Sequence, residues 1–167
     1  MNKIITLALL CALTLFNAPA YADGCYLTPY DDVQAKLLDI IKSSTETIRL
    51  CIYAINDPEI VDALIASKKK GVDVQIITDL SQSKMVGQKA AVIKLLDAGI
   101  PVYIGQSSRH GLVHAKFIVC DGMITAEGSY NYTIQAPQQD NSFNVVTHPG
   151  IASQYNVFWN FIKMDMR

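Results

Sequence analysis

The chain has 167 residues, half of them hydrophobic and 17% charged, with a formal net charge of −1. That length supports one domain with a sizeable core rather than two. A charge so close to zero excludes a global attraction to nucleic acid or to anionic membranes, so any polyanion site must be a local patch.

In chain order, the opening "MNKIITLALLCALTLFNAPAYA" has Lys3, an apolar run from Ile4 to Phe16, and small residues at Ala20 and Ala22. This is the layout of a secretory signal peptide cleaved after Ala22, and the apolar run is shorter than the roughly 20 residues a bilayer requires. The expectation is a signal peptide over 1–22, a single domain over 23–167, and export to the periplasm or beyond, without stable membrane insertion. Cys25, Cys51 and Cys120 remain after cleavage. None has zinc-ligand spacing, and Cys51 and Cys120 lie in apolar strand-like runs, where a buried free thiol is expected.

"DDVQAKLLDIIKSS" sets Val33, Leu37, Leu38, Ile40 and Ile41 on one helical stripe. "TIRLCIYAI" reads as a strand. "DPEIVDALIASKKKG" predicts a helix with Asp57 as N-cap, Pro58 in the first turn and Gly71 as the stop. Lys68, Lys69 and Lys70 at its end suit the helix dipole. "VDVQIITD" is a further strand, "GQKAAVIKLLDAG" a capped helix and "IPVYIG" another strand. Strands alternating with helices predict an α/β fold with a mixed, mostly parallel sheet flanked by helices on both faces.

After Gly105 the pattern changes. "VHAKFIVC" and "MITAEG" are strand-like runs separated by Asp121-Gly122, which predicts a hairpin with a two-residue type I′ turn. Counting outward pairs Cys120 with Met123, Lys116 with Glu127 and His114 with Ser129. Paired residues share a face, so His114, Lys116, Ser129 and Asn131 are expected to gather at the open end. A polar stretch follows, then the strand "FNVVTH" and the helix "PGIASQYNVFWNFIKMD".

A lone strand histidine is usually a satisfied structural residue, a lone lysine a solvated edge residue, and Asp121 has a complete explanation as a turn residue. Together at this spacing they form a set. An imidazole is a nucleophile or general acid–base near neutral pH, and an ammonium, a hydroxyl and an amide around it can hold an oxyanion. Carboxylates are scarce, so the set fits a phosphate group and chemistry without a metal.

His114-x-Lys116, then four residues and Asp121, then six residues and Gly128-Ser129-x-Asn131, resembles the signature of the phospholipase D superfamily. Its small, exported, single-motif bacterial endonucleases are the nearest in layout. The resemblance implies a phospholipase D-like fold and a metal-independent phosphodiesterase needing no cofactor. It implies His114 as nucleophile or acid partner, Lys116, Ser129 and Asn131 as phosphate ligands, and Asp121 hydrogen-bonded to a catalytic histidine, often that of the opposite half of the site, which in a dimer is the other chain's. Many members carry a glutamate a dozen residues after the asparagine. Ser142 or Phe143 stands there in this chain, which leaves Glu127 as a possible substitute. Arg109 and His110 are candidates for supporting substrate contacts, and His148 is read as a loop residue. The expected function is non-specific hydrolysis of DNA, with RNA as a further substrate, by a homodimer sharing one active site. A phospholipase and a catalytically weak nucleic-acid-binding module are the rivals.

Overall fold

The computed structural model describes residues 23–108 and 111–166. The predicted signal peptide, Arg109 and His110 lie outside the described residues. The elements run β1 (Gly24–Thr28), α1 (Val33–Ser43), β2 (Thr47–Ile52), α2 (Pro58–Lys69), β3 (Asp73–Asp79), α3 (Leu80–Ser83), α4 (Val86–Asp97), β4 (Val102–Gly105), β5 (Phe117–Cys120), β6 (Ile124–Gly128), β7 (Asn141–Thr147) and α5 (Pro149–Asp165). The single sheet has seven strands in the order β1-β7-β6-β5-β2-β3-β4.

Local sequence accounts for most boundaries. The buried residues of α1 are the predicted stripe, Val33, Leu37, Leu38, Ile40 and Ile41, and the Asp32 side chain accepts from the Ala35 N–H at its start. Asp57 caps α2 by accepting from the Glu59 and Ile60 amides, with Pro58 in the first turn, where the missing N–H is not needed. Gly71 follows the end of α2 with φ +98°, a conformation that glycine adopts without Cβ strain. In contrast, α4 starts at Met85 with no side-chain cap bond.

The sheet is mixed, but mostly antiparallel rather than mostly parallel. Only β2–β3 and β3–β4 pair in parallel. The ladders β1–β7, β2–β5, β5–β6 and β6–β7 are all antiparallel. Parallel neighbours require a long crossover, and the chain supplies one only through α2 and through α3–α4. Past β4 it returns by shorter connections, so the later strands reverse direction. The edge strand β1 lies ahead of every element read from the sequence.

Alternation along the strands splits the core in two. Ile48, Leu50 and Ile52 of β2 pack with Val74, Ile76, Ile118 and Val145 under α1, α2 and α4. Cys51, Ile77, Phe117 and Val119 face the other way and are covered by α5 through Ala152 and Trp159. The buried Trp159 indole donates to the Leu50 carbonyl at 2.9 Å, which ties α5 to the centre of the sheet. Helices therefore lie on both faces, with α5 alone on one among the described residues.

Candidate active site

The β5–β6 hairpin differs from the sequence expectation by one residue. Cys120 pairs with Ile124 and Phe117 with Glu127, so three residues, Asp121 to Met123, form the connection. Asp121 (φ +53°) and Gly122 (φ +62°) both take the left-handed conformation. Lys116 then stands opposite Gly128, whose N–H donates to the Lys116 carbonyl at 3.3 Å. Residues 114–116 precede the ladder itself, which releases His114 and Lys116 from strict alternation and lets them turn into the cleft.

Asp121 holds the closed end of the hairpin. Its carboxylate accepts from the amides of Thr45, Glu46 and Thr47 at 2.8, 2.9 and 2.8 Å, and from the Thr45 hydroxyl at 3.2 Å. Six residues separate it from His114, a span of roughly 20 Å when the chain is extended. Within one chain the structure does not bring Asp121 to the other four motif residues.

At the open end those four line one cleft of about 660 Å³, together with Glu127. His114 and Ser129 are exposed, and Lys116 and Asn131 half-buried. The Lys116 Nζ donates to the His114 carbonyl at 2.8 Å and lies 3.4 and 3.3 Å from the two imidazole nitrogens. Burial lowers the Lys116 pKa below the ordinary lysine value, opposed in part by nearby Cys51.

The other wall is backbone-directed. Ser129 Oγ accepts from the Ser142 N–H at 3.0 Å and donates to Asn141 Oδ1 at 3.2 Å. Close approach of β7 requires Gly128, since a Cβ there would meet the Ser142 carbonyl oxygen at 2.1 Å. Asn131 Oδ1 is buried without a hydrogen-bond partner. The Glu127 carboxylate accepts from Asn144 Nδ2 at 2.7 Å, while Phe143 turns into the core edge-on to Tyr130. The carboxylate of this cleft therefore comes from β6, not from β7.

His148 caps α5, its Nδ1 accepting from the Gly150 and Ile151 amides at 3.1 and 3.4 Å, well apart from the cleft residues in role. Cys25 is exposed and free, and Cys51 and Cys120 are buried and free. Burial pushes both buried thiols up to about 12. No three His, Cys, Asp or Glu side chains converge as a metal site among the described residues.

Sequence reasoning missed two residues near His114 and Lys116. Tyr53, just past β2, packs its ring 4.6 Å from the His114 ring, and Asp79, wholly buried, accepts from the Val113 N–H at 2.9 Å. Both sit at strand ends that read as ordinary strand sequence, so local pattern carried no signal for either.

A family described as "Cardiolipin synthase, PLD-like domain" matches residues 37–161. A mitochondrial cardiolipin hydrolase of Chlamydomonas reinhardtii is 31% identical over 134 residues, covering 77% of this chain and 58% of that protein. A phospholipase D of Rickettsia prowazekii is 33% identical over 106 residues, 64% of this chain and 49% of its own length. The chain thus spans less than two thirds of these curated relatives. Among solved structures, Nuc of Salmonella typhimurium, a phospholipase D family member, superposes with a TM-score of 0.79 at 26% identity over 87% of this chain and 97% of that one. NucT of Helicobacter pylori shares the fold with a TM-score of 0.75 at 20% identity, over 86% and 96%. With the family match spanning most of the sequence and the HxK and GSxN residues gathered in one cleft, the chain belongs to the phospholipase D superfamily.

Proposed function

We propose that this protein is an exported, metal-independent phosphodiesterase, an endonuclease that hydrolyses DNA and also accepts RNA through a phosphohistidine on His114. The observation that carries the reading is the cleft itself. An exposed imidazole stands beside an ammonium, with a hydroxyl and an amide on the opposite wall. Lys116, Ser129 and Asn131 hold the non-bridging oxygens. A ring nitrogen of His114 attacks phosphorus, forming a P–N bond as the P–O bond to the leaving group breaks. Water then attacks the same phosphorus, the P–N bond breaks, and a phosphomonoester leaves.

The leaving oxygen needs a proton donor, and a single cleft has one histidine of the motif. A second copy of the chain supplies it if two clefts meet across a two-fold axis, the commonest way for a chain to pair. Support comes from α5, the only helix on its face of the sheet among the described residues, which exposes Val157, Phe158, Phe161 and Met164. Phe158 lines the cleft, and Phe158 and Phe161 line an apolar groove beside His114. The same apolar surface thus runs up to the catalytic side chain.

A second reading, hydrolysis of a phospholipid, draws on the likeness to a cardiolipin hydrolase over 77% of this chain. The chemistry is the same, so substrate assays separate the two. Plasmid DNA cleaved in excess EDTA, with cardiolipin vesicles left intact, supports the nuclease, and the reverse pattern supports the lipid reading. Loss of all activity in EDTA, restored by magnesium, overturns the mechanism. His114→Ala should lower turnover by several orders of magnitude, measured on protein whose folding is checked by circular dichroism.

A further inference from the structure

The His114 imidazole is poorly oriented by the polar contacts around it. Its ring nitrogens lie at nearly equal distances, 3.4 and 3.3 Å, from the same Lys116 ammonium. The two ring nitrogens of an imidazole, one an acceptor and one an N–H, point apart, so an ammonium placed evenly between them makes no linear bond to the acceptor and does not select a tautomer. Glu127, the one carboxylate lining the cleft, accepts from Asn144 instead.

What does press on the ring is Tyr53. Its ring centroid lies 4.6 Å from that of His114 at an interplanar angle of 59°, inside the range of favourable aromatic contact. The Lys116 ammonium sits 5.2 Å from the same Tyr53 ring, close enough for a cation–π attraction. Both reactive side chains thus rest on one aromatic surface. That surface is itself fixed at its far end, because Gln82 Nε2 donates to the Tyr53 hydroxyl at 2.9 Å.

Gln82 belongs to α3, whose start is pinned by Asp79. One Asp79 oxygen accepts from the Ser81 and Gln82 amides at 2.8 and 3.3 Å. The other accepts from the Val113 N–H at 2.9 Å, one residue before His114. A single short helix therefore holds the motif from two sides, by its backbone through Asp79 and by its side chains through Gln82 and Tyr53.

We propose that Tyr53, anchored by Gln82, is a positioning residue that sets the orientation of the His114 imidazole and holds the Lys116 ammonium beside it. The inference rests on the reading of His114 as the nucleophile, and Tyr53 makes up for the orienting carboxylate that Glu127 does not supply here.

The test uses bis(p-nitrophenyl) phosphate, a phosphodiester free of any nucleic-acid or lipid preference, together with the proton resonances of the His114 ring. Tyr53→Leu should lower kcat on the order of 10- to 100-fold, the effect of a small misplacement of a reacting group, and leave KM within a few-fold. It should also remove the ring-current displacement of the His114 Cε1–H signal. Tyr53→Phe keeps the ring and should recover most of the loss. Gln82→Leu should match Tyr53→Phe, and the double variant should be no slower than either single, since hydroxyl and amide act as one unit. Should Tyr53→Leu fail to fold, the Tyr53→Phe and Gln82→Leu cycle decides alone. Wild-type kcat in folded Tyr53→Leu, an unmoved His114 signal, or additive or absent losses in the cycle overturns the proposal. His114→Ala assayed alongside keeps the two readings apart. If it retains activity, the nucleophile assignment falls; if it is dead while the Tyr53 variants are unaffected, only the positioning role falls.

Discussion

Lys116 carries a charge that the proposed chemistry needs and that its surroundings disfavour. Burial lowers its pKa from the ordinary value near 10.5, with Cys51 opposing in part. The sign for activity follows directly. The phosphate-binding form is the ammonium, so activity should fall as pH rises through a pKa lower than that of a free lysine. Tyr155 also lines the cleft. Burial raises its pKa above 10.0, with Glu127 adding to the effect, the opposite direction to Lys116. In Lys116→Arg the guanidinium stays charged at every accessible pH, and the alkaline limb of kcat/KM should disappear even though the rate drops. The pH profile of kcat/KM for both proteins, on a neutral-pH-stable phosphodiester, checks this. A limb that stays in place in Lys116→Arg assigns it to another group.

The hairpin divides its motif by function along its length. Its closed end is structural, for the Asp121 carboxylate serves three backbone amides of the α1–β2 connection and the Thr45 hydroxyl. Its open end carries the four side chains to which the proposed chemistry is assigned. Asp121→Ala should therefore lose stability, about 2 kcal/mol for charge-assisted bonds that are partly exposed, and keep kcat within a few-fold below its melting temperature. Thermal melts set beside kcat measure the split, and a folded variant without activity would return Asp121 to the chemistry. The same hairpin shows what the sequence could and could not carry. The stripe of α1, the Asp57 cap of α2 and the span of α5 from Pro149 were legible because each rests on contacts within a few residues. So were His114, Lys116, Ser129 and Asn131 as a set, because a fixed spacing across one hairpin survives a change of register. The register itself was not legible. Asp-Gly suits loops of two or three residues, and the choice is made by neighbours such as the Thr47 carbonyl, which accepts from the Asp121 N–H at 2.9 Å. Strand direction was missed for a related reason. Local pattern announces strands, while partners are settled by which connections are long enough to cross over. Tyr53 and Asp79 meet the motif from β2 and β3, and nothing local marks that encounter.

At the scale of the molecule the two faces of the sheet are unequally covered. Among the described residues three helices, α1, α2 and α4, bury one face, and α5 alone shields the other. The outer side of α5 exposes Val157 at 67%, Phe161 at 56% and Met164 at 79%. These positions are four and three residues apart, one stripe of a helix. Scattered exposed apolar residues are ordinary, whereas a stripe beside the cleft supports the proposed pairing of two copies. If two copies meet there, each α5 covers the other and the His114 side chains approach one phosphate from opposite sides. Phe161→Glu combined with Met164→Glu puts charge into that contact. Both side chains are more than half exposed, so the fold of one chain should change in stability by no more than about 0.5 kcal/mol. The variant should run as a monomer in light scattering and be inactive when dilute. Activity should return as its concentration rises toward the raised dissociation constant of the dimer. Mixing wild type with an excess of His114→Ala chains should lower activity after exchange, because most sites then hold a single histidine. A wild type that is monomeric and active, a monomeric variant with full activity at every dilution, or wild-type rates undiminished by exchange would each refute the shared site.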